Sequence, residues 1–99
     1  MSHDVFISYC SEDKDVADAV CAGLEADKIR CWIAPRDVPP GENWGGSIAR
    51  GITSSKVMVV IFSGHTNRSR HVMNEIERAV SHEVTIIPFR IEAVTPSED

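Results

Sequence analysis

Residues Val57–Phe62 read VMVVIF, an unbroken apolar run. It is far shorter than the ~20 residues of a membrane span. A run of this length reads as a strand covered on both faces, the central position of a parallel sheet. Three further runs accompany it: Val5–Tyr9 (VFISY), Ile29–Ile33 (IRCWI) and Val84–Ile91 (VTIIPFRI). Helical patterns separate them, and this alternation predicts an α/β fold, an open parallel sheet with right-handed crossovers.

The helices follow from spacing. Ser11 or Asp13 can cap a first helix in which Val16, Val20 and Leu24 recur every four residues, with Ala17 and Cys21 beside them. Trp44, Ile48 and Ile52 repeat in the same way, which places Trp44 in the core of a short second helix weakened by Gly45, Gly46 and Gly51. Ser69 caps a third, with Val72, Met73, Ile76, Ala79 and Val80 on one side. Ala34–Glu42, with Pro35, Pro39, Pro40 and Gly41, and the polar Ser63–Arg70 are loops. Pro88 is awkward inside the fourth strand, because proline cannot donate to a ladder. The tail Glu92–Asp99 is polar and ends without another element.

The 99 residues suffice for a single domain, with 42% hydrophobic residues and a net charge of -5. That balance argues against direct nucleic-acid binding, which needs a basic face. No segment is suited to membrane contact, and MSHDVFISY has neither a basic leader nor an apolar signal core. Cys10, Cys21 and Cys31 form no CxxC motif, so a reduced, cytoplasmic setting fits.

In open α/β sheets, ligands bind beyond the carboxyl ends of strands. Two such ends carry chemistry here: HDVFISYCSED and CWIAPRDVPPG. No phosphate-binding GxxxxGK[ST], dinucleotide GxGxxG or nucleophile-elbow GxSxG is present. His71 and Glu75 share a helix face, but two donors fall short of the three or four that a metal site needs. Cys10 at a strand end is a nucleophile candidate or simply a small filler. Glu75 lies at the border of the apolar stripe of its helix.

HDVFISY, the loop RDVPPG, VMVVIF followed by Ser63, the helix SRHVMNEIERAV and IIPFRI together resemble a bacterial Toll/interleukin receptor (TIR) domain, over nearly the whole chain and in order. The resemblance implies a flavodoxin-like fold of five parallel strands flanked by helices. It also implies one of two roles: cleavage of NAD at the nicotinamide–ribose bond, or non-catalytic protein–protein contact. It places the catalytic carboxylate on Glu75, with His71 where many relatives have tryptophan. Substrate contacts fall on Cys10 and Ser11 after the first strand and on Arg36 in the loop; Ser63 and Trp32 join them, Trp32 or Trp44 as a stacking ring. NAD enters as substrate, and no cofactor is implied. Ala34–Gly41 is the expected surface for self-association, with other TIR domains as further partners. The family's last strand and helix have no counterpart here, so the sequence is expected to be the N-terminal part of a longer polypeptide. A phospho-acceptor receiver on the same fold class fits poorly, since Ser63 stands where an aspartate should end the third strand.

Overall fold

Strand β3 (Ser55–Phe62) lies inside the sheet, paired in parallel with β1 (His3–Ser8) and with β4 (Thr85–Arg90). Strand β2 (Cys31–Trp32) pairs with β1, giving the order β2-β1-β3-β4. This computed structural model describes residues 3–91; the tail Glu92–Asp99 lies outside the described residues. The four-stranded, all-parallel, helix-flanked sheet is the flavodoxin-like arrangement expected from the sequence.

Strand side chains alternate between faces, and the alternation sorts the core into two layers. Val5, Ile7, Val59 and Ile61 pack with Ala17 and Cys21 of helix α1 (Lys14–Ala26). Phe6, Met58 and Val60 pack on the other face with Ile52 of helix α2 (Trp44–Thr53) and with Val72 and Ala79 of helix α3 (Arg70–Ser81). Both α2 and α3 start on side-chain caps: Asn43 accepts from the Gly46 N–H at 2.8 Å, and Ser69 from the Val72 N–H at 3.2 Å.

Three expectations change. The second strand is shorter than Ile29–Ile33, because both ends of that run are drawn into turns: the Ile29 N–H bonds the Leu24 carbonyl, and the Ile33 N–H bonds the Asp37 carboxylate. Asp13 stands at the start of α1 but makes no side-chain cap. Instead its carboxylate accepts from Cys10 Sγ at 3.1 Å and from Ser63 Oγ at 2.5 Å. Pro88 is accommodated because β4 is an outer strand among the described residues, so the ladder facing β3 does not require its missing N–H. Along that strand Ile87 and Phe89 stay largely exposed.

Gly51 is required by the packing of α2 on Trp32. A Cβ at this position would stand 2.7 Å from two atoms of the Trp32 indole. The indole cannot easily move, because it is buried and stacked on Phe6, with ring centroids 5.0 Å apart. Overpacking costs about 1–3 kcal/mol, more than the ~1 kcal/mol of helix propensity that alanine brings. Gly51→Ala should therefore lower the melting temperature by several degrees in a thermal circular-dichroism scan, at about 4–8 °C per kcal/mol; an unchanged or higher value would show that the contact is relaxed.

Candidate active site

Glu75 is on α3 but faces the sheet, and is only 6% exposed. A carboxylate so withdrawn from water needs donors. Ser8, the last residue of β1, donates Oγ–H to Glu75 Oε1 at 2.7 Å. His71, one turn earlier on α3, brings Nε2 to 2.8 Å from Glu75 Oε2. That hydrogen bond raises the His71 pKa above the ordinary 6.5; desolvation opposes the rise and the coulombic attraction of the same carboxylate adds to it.

The pair lines a cavity of about 260 Å³. Phe6, Tyr9, Ser11 and Trp44 form its walls, with Ala34 and Pro35 from the loop after β2. The Tyr9 hydroxyl donates to the Ala34 carbonyl at 2.5 Å, which fixes the start of that loop against the end of β1. Trp44 is not the core residue its spacing predicts, for it is 54% exposed. As the first residue of α2, it extends past the sheet, while Ile52 two turns later is fully buried.

A second cavity of about 450 Å³ adjoins the first and shares Ser11, Trp44 and His71 with it. Cys10 lines this one. Burial and the neighbouring Asp13 carboxylate push the Cys10 thiol up to about 11, so it carries little thiolate and suits the filler reading better than the nucleophile.

Glu75, His71, Ser11 and Cys10 thus come together, whereas Arg36, Trp32 and Ser63 line neither cavity. Trp32 stacks behind Phe6 in the core. Ser63 is fully buried and donates to Asp13. Arg36 holds both carboxylate oxygens of Glu25 at 2.9 and 2.8 Å, the Asp37 carboxylate at 2.9 Å and the Cys31 carbonyl at 2.9 Å. Its guanidinium fixes the loop to α1. Among the described residues, Cys21, Glu25 and Cys31 bring metal-type donor atoms within 4.8 Å of one another. Arg36 already supplies the positive charge there, and the Cys31 thiol is pushed up to about 12 by burial, so this cluster is a structural knot. No helix of the described residues is long and apolar enough to cross a membrane.

A family model described as TIR domain matches residues 5–99. The chain belongs to the TIR domain family. It is 32% identical over 76 residues to the NAD(+) hydrolase PdTIR of Paracoccus denitrificans (strain Pd 1222), an alignment covering 76% of this chain and 25% of that protein. The chain therefore spans about a quarter of that relative's length. The TIR domain of the Toll-related receptor TRR-2 from Hydra magnipapillata superposes with a TM-score of 0.84 at 25% identity, over 95% of this chain and 74% of that one. A metazoan TIR-STING receptor from C. gigas superposes at 0.81 with 26% identity, over 94% and 32%.

Reasoning from sequence alone missed Ser8, Tyr9 and the exposure of Trp44. For Ser8 a signal existed. It shares a strand face with Phe6 by period two, so a polar side chain points into the α2/α3 layer and demands a polar partner there.

The His71–Glu75 pair gives this TIR domain a titration signature. Because the His71 pKa is raised, the pair's contribution is complete below pH 6.5 and is lost as pH climbs through the raised value. Glu75→Gln should bring the His71 pKa back down toward the ordinary imidazole value in an NMR titration of its ring protons. An identical pKa in both proteins would show that the pair does not form in solution.

Proposed function

We propose that this TIR domain cleaves NAD at the nicotinamide–ribose bond, with Glu75 as the catalytic residue, and that self-association through Ala34–Gly41 switches it on. The observation that carries the reading is a single carboxylate, held by Ser8 and His71, at the wall of a cavity beyond the carboxyl end of β1. The similarity to a protein named NAD(+) hydrolase supports it.

The chemistry suits one carboxylate. Ordinary glycosidases pair theirs with a general acid, because the leaving group departs as a poor alkoxide. In NAD the C1′–N bond breaks with both electrons passing to a positively charged pyridinium nitrogen, so nicotinamide leaves neutral and needs no proton. Positive charge moves onto C1′ and the ring oxygen of the ribose, where the Glu75 carboxylate stabilises it. Water then adds to C1′ and releases a proton, giving ADP-ribose; an adenine nitrogen adding instead gives a cyclic product. A domain that consumes NAD only when assembled suits a cytoplasmic role in defence or effector signalling.

Glu75→Gln keeps an oxygen that can accept from Ser8, removes the charge and turns the atom facing His71 into an amide donor. It should cut nicotinamide release by about 10²–10³-fold, the usual weight of one electrostatic contact to a transition state. In the unsubstituted protein turnover should rise with pH through the His71 titration, because imidazolium neutralises Glu75 below it. Nicotinamide release at wild-type rate from Glu75→Gln would eliminate the electrostatic role.

Non-catalytic contact is the second reading, favoured by the exposed tip Pro39–Pro40–Gly41, whose Gly41 takes φ +81°. A purely contact-making domain has no use for the Glu75 charge, so the Glu75→Gln assay separates the two. In either case Pro40→Ser should weaken self-association in analytical ultracentrifugation while the melting temperature changes little, since the tip is exposed; intact assembly with a large drop in melting temperature would refute this.

A further inference from the structure

The knot around Arg36 is held by a cation, and its donors suit a different one. Cys21 on α1, Glu25 one turn later and Cys31 on β2 bring two sulfurs and a carboxylate oxygen within 4.8 Å of one another. The guanidinium stands against two of these residues: Nη1 lies 3.6 Å from Cys21 Sγ and 2.9 Å from Glu25 Oε1, and Nη2 lies 2.8 Å from Glu25 Oε2. Its hold on Cys31 is through the backbone carbonyl, at 2.9 Å, and not through the sulfur. The place thus attracts positive charge, while arginine leaves the sulfur chemistry almost unused.

Two sulfurs and one carboxylate are the donor set of a borderline-soft ion; calcium and magnesium take oxygen alone. A tetrahedral ion with bonds of about 2.3 Å to sulfur and about 2.1 Å to oxygen sets its donors roughly 3.6–3.8 Å apart. From 4.8 Å or less, the cluster contracts by no more than about 1 Å to reach that spacing. Access exists on two sides. One cavity is lined by Cys21, Glu25 and Arg36, and another by Cys31, Glu25 and Arg36. The Arg36 side chain is 47% exposed, and Asp37 keeps it paired when it leaves Glu25. Ion pairs in water are weak, so the exchange costs little.

We propose that Cys21, Glu25 and Cys31 form a binding site for a thiophilic divalent cation of the zinc class, which enters by displacing the Arg36 guanidinium. Two S–H bonds break, two sulfur–metal bonds form and both protons pass to solvent. Glu25 supplies the third bond as a carboxylate, water takes the fourth position, and no electron moves. The exchange transfers a tie: the metal joins α1 to β2, and the loop that carries Arg36 is released from Glu25. Neither sulfur lines the Glu75 cavity, so the site stands or falls independently of NAD cleavage.

The test titrates the full chain, reduced with a phosphine, with Co²⁺ alone. A sulfur-to-cobalt charge-transfer band should appear in the near ultraviolet, with tetrahedral visible bands, and Zn²⁺ should bleach both. Cys21→Ser and Cys31→Ser should each diminish the charge-transfer band and weaken binding about a hundredfold, whereas Cys10→Ser should leave the spectrum unchanged. Arg36→Ala should bind about fivefold more tightly, because the competing cation is gone. Arg36→Gln, which keeps donors for Glu25 without the charge, should shift affinity the same way and serves where helical circular dichroism shows the alanine variant unfolded. Absence of the charge-transfer band, or its loss in Cys10→Ser, would overturn the site. Unchanged or weaker binding by folded Arg36 variants would overturn the displacement.

Discussion

The hydrogen bond from Ser8 to Glu75 spans 67 residues of sequence and fixes the geometry of the whole carboxyl edge. A buried acceptor without a partner costs about 1–3 kcal/mol, so Glu75 can face the sheet only where a donor awaits it. Parallel pairing supplies that donor, because the register sets Ser8 beside Val60 at the end of β1. Period two turns Ser8 to the face on which Phe6, Met58 and Val60 meet α3. The Ser69 cap sets where α3 begins, and hence which residues of its turns reach the sheet. Val72 and Ala79 then fill the apolar layer on either side of Glu75.

A second buried carboxylate works in the same way one strand end further on. Asp13 accepts from both Cys10 and Ser63, so a single side chain joins the segments that follow β1 and β3. Arg36 forms the third knot, tying the loop after β2 back to α1 through Glu25. The loop is thus anchored to α1, while its first residues, Ala34 and Pro35, line the Glu75 cavity. Tyr9 connects the two, because its ring lines the Glu75 cavity and its hydroxyl holds the first carbonyl of the loop.

Periodicity and cap chemistry made the sheet and the helices legible. VMVVIF announced a strand covered on both faces, and Ser69 announced the start of α3. Strand ends were harder to place, since they depend on where individual N–H groups bond. Ile29 and Ile33 look like strand residues, yet one donates to a helix carbonyl and the other to a side chain. In the candidate site, Glu75 and His71 were legible as neighbours on one helix face. Trp44 was not: equal spacing with Ile48 and Ile52 describes a stripe on the helix but cannot say how far the partner surface extends beneath it. Arg36 shows the same limit for charge. The resemblance made it a substrate contact, and only the fold brings Glu25 of α1 within reach of it.

Function on this fold is decided by side chains at the strand ends, because the same sheet also appears in receptors whose names refer to no chemistry. Stability alone does not account for Glu75. A hydrogen-bonded buried charge often does no better than break even against apolar packing of similar volume, and Val72 and Ala79 show that this face of α3 packs well without charge. Placing a carboxylate between them, with one oxygen on Ser8 and the other on a half-exposed imidazole, leaves a negative charge at a cavity wall where it does little for the core. Under the proposed NAD cleavage, such a group has its use beside a ribose that develops positive charge. His71 tempers that use. Where an indole would be neutral at every pH, an imidazole can become a cation, so solvent pH reaches the Glu75 charge through a ring that the protein leaves in water.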